Sequence, residues 1–289
     1  MIVNIDKSAG FCFGVLQTIE KAENNIKNEI PKNIYVLGEI IHNPAEIKRL
    51  NKIGLKTLLI NDLDSLEKEN SIVIIRAHGE PPSTYNILEK LQINYVDATC
   101  PLVNQLQQKI INYYKQKYQI IIFGKSDHPE VVALRGVCNE KCFVGLNISD
   151  FSNKINFNEK SVLLTQTTMN LDKFMLLYNT LLEHFNNPEL LKIENTICKF
   201  MISREAELKK FAMENDLVIF VAGRNSSNGK VLYNICKSIN DKTIFIEDIN
   251  ELEHSMFINY NSIGITGATS TPRWYLDEVK SFLKETKNI

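Results

Sequence analysis

Ala98-Thr99-Cys100-Pro101-Leu102-Val103 stands between a strand-like segment and a helix-like one, and the same step occurs twice more. Gly10-Phe11-Cys12-Phe13-Gly14-Val15 and Thr196-Ile197-Cys198-Lys199-Phe200-Met201 also follow strand-like runs and open helices. The cysteines lie 88 (100−12) and 98 (198−100) residues apart, a recurrence expected of a repeated structural unit. After each comes a strand ending in glycine, a polar turn and a helix. The turns are Gly38-Glu39-Ile40-Ile41-His42-Asn43-Pro44, Gly124-Lys125-Ser126-Asp127-His128-Pro129-Glu130 and Gly223-Arg224-Asn225-Ser226-Ser227-Asn228-Gly229, which sets His42, His128 and Ser227 in matching places. A third strand, tip and helix recur as Arg76-Ala77-His78-Gly79, Thr165-Gln166-Thr167-Thr168 and Ala268-Thr269-Ser270-Thr271. His78, Thr167 and Ser270 correspond in that alignment, which favours Thr167 over Thr168 as the residue facing a ligand.

Around these steps, short β-branched runs alternate with helical stretches. Candidate strands are Asn33–Leu37, Ser71–Ile75, Gln119–Phe123, Ser161–Thr165, Asp216–Val221 and Ser262–Thr266, with helices such as Leu102–Tyr118 and Ile202–Glu214 between them. The alternation predicts an α/β fold with mainly parallel sheets. The tips fall where strands hand over to helices, the usual ligand side of such sheets. With 289 residues and 44% hydrophobic content, the chain can build two or three modest domains. Its 33 basic and 34 acidic side chains give a net charge of -1, which argues against a nucleic-acid partner. No apolar run approaches the roughly 18 residues of a membrane helix. Met1-Ile2-Val3-Asn4-Ile5 reads as a strand rather than a leader, so a cytoplasmic protein is expected, or a stromal one after removal of a transit segment. Six cysteines without a signal peptide point to reduced thiols, not a disulfide framework.

Three thiolates on separate units leave one position empty on whatever they bind. The close ligand pairs of a zinc site are missing at these positions. A cubane iron–sulfur cluster with one open iron suits the set, although four cysteines are the common ligation; packing as small buried hydrophobes is the plain alternative. Three of the five histidines, His42, His78 and His128, fall on polar tips, whereas His184 and His254 read as surface residues. Pro44, Pro101, Pro129 and Pro272 mark helix starts, and Ser226, Ser227 and Asn228 add donors at another. Helix starts favour phosphate oxygens, though ordinary capping uses the same residues. Gly124-Lys125-Ser126 is no P-loop, because Gln119 stands where the first glycine belongs. Cys138 and Cys142 lie outside the repeated steps, and Cys236 reads as core. The tips therefore fit an iron–sulfur enzyme acting on a phosphorylated substrate. A dehydratase on another substrate, a cluster-bearing sensor and a zinc-stabilised scaffold stay open.

The ordered motifs resemble a known family. Gly10-Phe11-Cys12-Phe13-Gly14-Val15, His42-Asn43-Pro44, Arg76-Ala77-His78-Gly79 and Asp97-Ala98-Thr99-Cys100-Pro101 are similar to its successive signatures. His128-Pro129-Glu130-Val131, Thr165-Gln166-Thr167-Thr168, Thr196-Ile197-Cys198, Asn225-Ser226-Ser227-Asn228 and Ala268-Thr269-Ser270-Thr271-Pro272 continue the set. The family is that of 4-hydroxy-3-methylbut-2-enyl diphosphate reductase, the last enzyme of the non-mevalonate isoprenoid pathway. The resemblance implies a trefoil of three pseudo-equivalent α/β domains, expected here at 13–97, 98–194 and 195–289, the last completed by the N-terminal strand within 1–12. It implies a central [4Fe–4S] cluster on Cys12, Cys100 and Cys198, its fourth iron open to an allylic alcohol diphosphate. That substrate would be reduced by two electrons and two protons to isopentenyl and dimethylallyl diphosphates, with a ferredoxin or flavodoxin as donor. By motif match, His42, His78, His128, Thr167, Ser226, Ser227, Asn228 and Ser270 would contact substrate. Glu130, with Thr167, would deliver protons.

Overall fold

The computed structural model describes residues 1–28, 32–151 and 154–285. In chain order its strands are β1 (Ile2–Ile5), β2 (Asn33–Leu37), β3 (Leu55–Leu58), β4 (Ser71–Ile75), β5 (Asn94–Asp97) and β6 (Gln119–Phe123). They continue as β7 (Cys142–Gly145), β8 (Ser161–Thr165), β9 (Leu191–Ile193), β10 (Leu217–Val221), β11 (Thr243–Ile246) and β12 (Ser262–Gly267). The helices are α1 (Phe13–Asn28), α2 (Pro44–Lys52), α3 (Pro82–Lys90), α4 (Pro101–Lys115) and α5 (Pro129–Gly136). The remaining ones are α6 (Leu171–Leu182), α7 (Lys199–Met213), α8 (Ser227–Ile239) and α9 (Arg273–Glu285). The expected central strands agree with these to within a residue; α4 and α7 begin earlier than periodicity suggested, directly after Cys100 and Cys198.

Among the described residues, three sheets of four strands form, in the orders β1-β12-β10-β11, β5-β4-β2-β3 and β9-β8-β6-β7. Written this way, each begins with the strand leading to a cysteine and ends on a short edge strand. The central pairs β12–β10, β2–β4 and β6–β8 are parallel, as are β1–β12, β4–β5 and β8–β9. β1 pairs with β12 through Ile2 opposite Ser262 to Ile5 opposite Ile265, so the chain's first strand joins the sheet of its last third. β4, β8 and β10 are buried along their whole length. That is why they read as continuous Ile/Val/Leu runs rather than alternating ones.

The chain divides into two compact units. One contains Met1–Glu23, Glu39–Leu55 and the chain from Lys199 onward, and holds the β1-β12-β10-β11 sheet. Its core packs Leu217, Ile219, Ile263 and Ile265 against Tyr275, Leu276, Val279 and Leu283 of α9. The other contains Asn24–Gly38 and Lys56–Cys198. It has one core around Leu106, Ile110, Ile120, Ile122, Val162 and Leu164, and another around Leu37, Val73, Ile75, Leu88 and Ile93. No helix among the described residues is long and apolar enough to cross a membrane.

Candidate active site

The three cysteines occupy one backbone position, repeated. Ahead of each, an Asx residue turns the chain. Ser8 N–H donates to Asp6 Oδ1 at 3.0 Å, Thr99 N–H to Asp97 Oδ1 at 2.9 Å, and Ile197 N–H to Asn195 Oδ1 at 3.1 Å. Such side-chain turns are what Asp and Asn do at strand ends. Each cysteine N–H then donates to a carbonyl at the neighbouring tip: Cys12 to Thr269 (3.1 Å), Cys100 to Ala77 (3.0 Å) and Cys198 to Thr167 (2.9 Å). A helix starts at the next residue in every case. All three are half-buried, and no disulfide joins any of the six cysteines.

Burial raises the Cys100 thiol above its ordinary pKa, with Cys198 and Glu130 adding to the rise; backbone N–H groups of Leu102 and Val103 oppose it. Donors at a helix start that favour a thiolate, on a sulfur still reachable from outside, fit a metal or cluster ligand. Cys138 and Cys236 do not share this setting, since both are fully buried in cores. Cys142 is half-buried and lies against Cys138.

In the unit holding residues 56–198, His78 and His128 meet edge to face, ring centroids 5.3 Å apart. Gly79 bends the chain directly after His78 with φ +73°, and a Cβ there would press on Gln107 and Thr99. His128 caps α5: the Glu130 N–H donates to its Nδ1 at 3.2 Å. Because Nδ1 accepts, the neutral ring carries its proton on Nε2, where it can be donated. Glu130, in the first turn of α5, is 2% exposed. Its Oε1 accepts from Thr167 N–H and its Oε2 from Thr167 Oγ1, both at 2.7 Å. Desolvation raises its carboxyl to about 6, despite the two Thr167 bonds that pull it down. A buried acid poised within reach of neutral pH, joined to a hydroxyl, can pass a proton.

In the other unit, Asn43 caps α2 by accepting from Glu46 N–H at 3.0 Å, which fixes the tip bearing His42. His42 Nδ1 lies 2.9 Å from Glu39 Oε2. Gly223 passes so close that a Cβ would sit 2.3 Å from the His42 carbonyl, so no larger residue fits without moving this tip. Ser226 caps α8, its Oγ accepting from Gly229 N–H at 3.1 Å and lying 3.4 Å from Ser270 Oγ. Asn228 Oδ1 accepts from Thr269 N–H at 3.0 Å, which ties the α8 start to the tip holding Cys12. Ser226, Ser227 and Ser270 are buried, and Asn228 is half-buried. They form a compact group of neutral donors at a helix start, the chemistry that holds phosphate oxygens.

The tips do not align residue for residue as expected. Gln166 N–H bonds to Phe123 O as Ala268 N–H bonds to Val221 O, and His128 N–H bonds to Lys125 O as Ser226 N–H bonds to Gly223 O. Hence Ser226, not Ser227, matches His128, and Thr168, not Thr167, matches Ser270. The sequence alignment was displaced by one because Gly124 corresponds to Ala222 rather than to Gly223. Thr167 nevertheless is the threonine bonded to Glu130, while Thr168 Oγ1 accepts from Gln166 Nε2 at 3.1 Å. His184 is exposed, and His254 stacks on Phe282 at 4.3 Å. The buried ionic groups Asp6, Arg204 and Glu46 were missed. On amphipathic helices and at strand ends, a charged residue carries no sequence mark of burial.

The model of the LytB protein family matches residues 3–284. A 4-hydroxy-3-methylbut-2-enyl diphosphate reductase of Chloroherpeton thalassium is 42% identical over 99% of this chain and 97% of its own length. One of Bacteroides fragilis is 39% identical over 98% and 97%. A solved structure of (E)-4-hydroxy-3-methyl-but-2-enyl diphosphate reductase, described as the terminal enzyme of the non-mevalonate pathway, shares 33% identity at a TM-score of 0.74, covering 99% of this chain and 100% of that one. The Plasmodium falciparum reductase shares 30% at a TM-score of 0.86, over 98% and 88%. A family model matching residues 3–284 and relatives about 40% identical over nearly the whole chain show that it belongs to the LytB family of 4-hydroxy-3-methylbut-2-enyl diphosphate reductases.

Proposed function

We propose that this protein reduces 4-hydroxy-3-methylbut-2-enyl diphosphate to isopentenyl and dimethylallyl diphosphates. Two electrons and two protons enter, the allylic C–O bond breaks, and water leaves. The observation that carries this reading is the half-buried cysteine at the same backbone position in all three sheets, in a chain of this family. Cys12, Cys100 and Cys198 would hold a [4Fe–4S] cluster. When bound, that cluster would supply the electrons and, through an iron without a cysteine, a Lewis acid for the substrate hydroxyl.

The chain's own groups take the remaining tasks. Ser226, Ser227, Asn228 and Ser270 with the α8 start, and His42, His78 and His128, would grip the diphosphate with few fixed positive charges. Holding that end firmly sets the alcohol end in a reactive pose. Glu130 would not aid the grip, because a carboxylate repels phosphate. Its bond to the Thr167 hydroxyl suits a relay that brings a proton to the alcohol end. We read a cytoplasmic enzyme of three domains, 13–97, 98–194 and 195–289 with 1–12, fed by a small ferredoxin or flavodoxin. Anaerobic turnover of the allylic diphosphate with a reduced donor, together with iron and sulfide analysis, tests the whole. Iron-free protein with zinc in its place, or full iron with no turnover, would refute it.

A further inference from the structure

The arm that brings Cys12 to its place is the longest of the three. From the Asx turn to the cysteine it runs six residues (12−6), against three after Asp97 (100−97) and three after Asn195 (198−195). A longer arm has more conformations to lose, so holding its end requires additional anchors. Those anchors are present. Asp97 and Asn195 are exposed, but Asp6 is buried. Its Oδ2 lies 2.6 Å from Arg204 Nη2 and accepts from Thr266 Oγ1 at 2.8 Å. Arg204 Nη1 donates to Ser8 Oγ at 2.8 Å, and Ser8 Oγ in turn donates to Asp6 Oδ1 at 2.8 Å. Arg204 Nη2 also donates to Thr266 Oγ1 at 2.6 Å, and Arg273 Nη1 donates to the Asp6 carbonyl at 3.0 Å.

Arg204 is 1% exposed. A buried pair of this kind adds little net stability compared with apolar residues of the same volume, and its attested use is to fix one arrangement over others. Arg204 sits on α7, which the chain enters one residue after Cys198. We infer that Arg204 and Asp6 are positioning residues for Cys12, setting the arm of the first cysteine from the helix that follows the third. The inference rests on Cys12 being a cluster ligand, as proposed above.

The test uses full-length Asp6→Asn, Arg204→Met and the double variant, which leaves no unpaired buried charge. Thermal melting by circular dichroism reports the fold. Alkylation by iodoacetamide of chain purified in air, mapped by mass spectrometry, reports the rate at Cys12 relative to Cys100. Anaerobically reconstituted protein gives iron and sulfide per chain, and the rate at which a chelator bleaches its visible absorption. A folded double variant is expected to label Cys12 about tenfold faster relative to Cys100, the factor for losing a charge-assisted hydrogen bond. It should also bleach about as much faster. An unchanged ratio and bleaching rate would overturn the inference, and so would a double variant that cannot fold, since the pair would then be a brace of the fold alone. Wild-type protein that takes up no iron would instead refute the ligand reading, while the alkylation ratio would still report on the arm.

Discussion

Glu130→Gln separates a proton donor from a helix ornament because glutamine can keep both bonds that Glu130 makes. Its Oε1 can accept from Thr167 N–H, and its Nε2–H can donate to Thr167 Oγ1, where Glu130 now accepts at 2.7 Å. The fold and the diphosphate grip should therefore survive. What is lost is the transferable proton. With its carboxyl near 6, Glu130 is protonated in about one molecule in ten at pH 7, against about one in three hundred at the ordinary carboxyl value. Burial thus raises the acid population about thirtyfold, at the pH where the reaction would run. Removing a general acid lowers turnover by about 10²-fold or more, and the wild-type rate should fall as pH rises through about 6. Stability gives a second reading with a defined sign. A raised folded pKa means the stabilisation is whole below the ordinary carboxyl range and is lost as pH climbs through about 6. The loss is about 2 kcal/mol, and it should vanish from the pH–stability curve of Glu130→Gln. A carboxylate serving the α5 dipole would be worth about 0.3–1 kcal/mol and leave turnover nearly intact. Anaerobic turnover and denaturant melts across pH measure both. Near-normal turnover in Glu130→Gln, with cluster and substrate binding intact, would refute the reasoning.

Thr167→Val removes one of the two bonds that hold the Glu130 carboxyl down, so the pH limb of the rate should move upward while turnover falls; a limb that stays in place would disconnect the pair from catalysis. Cys12→Ser, Cys100→Ser and Cys198→Ser should each abolish an intact cluster, whereas Cys138→Ser, Cys142→Ser and Cys236→Ser should keep it, as read by iron, sulfide and visible absorption. Dependence on Cys138 and Cys142 instead would reverse the ligand assignment. His42→Phe and Ser270→Ala should weaken diphosphate binding by about 1–3 kcal/mol, the range for a hydrogen bond to a charged partner lost or left unpaired. The same change at exposed His184 should do little, and equal losses at both sites would argue against a common diphosphate grip.

Central strands and cysteine steps were legible because each carries a signal with one physical cause. β4, β8 and β10 are buried on both faces, so their apolar runs leave no alternation to misread. Cys100-Pro101 places a proline where a helix can begin without losing a bond. The edge strands β3, β7 and β11 were absent from the candidate set. At four residues each, they are too short to show a periodicity of their own, and pairing in the sheet decides them. Arg204 was equally silent, because partner Asp6 lies 198 positions away (204−6) and no local pattern connects them.

The displaced register of the tips follows from the same distinction. Sequence alignment matched side chains, glycine to glycine and hydroxyl to histidine, but the repeat is conserved in backbone roles. Asn43, His128 and Ser226 share nothing chemically except an atom that can accept an N–H at a helix start, and all three cap their helices in this way. The cysteine N–H bonds to Thr269, Ala77 and Thr167 are likewise made to carbonyls, which every residue possesses. A frame built from carbonyls, caps and Asx turns tolerates any side chain that meets those few demands. One tip can then hold an imidazole, another a buried acid and a third a hydroxyl, without disturbing where its cysteine stands. That freedom is why the copies of one plan differ so much in side chain while each cysteine N–H keeps its carbonyl partner.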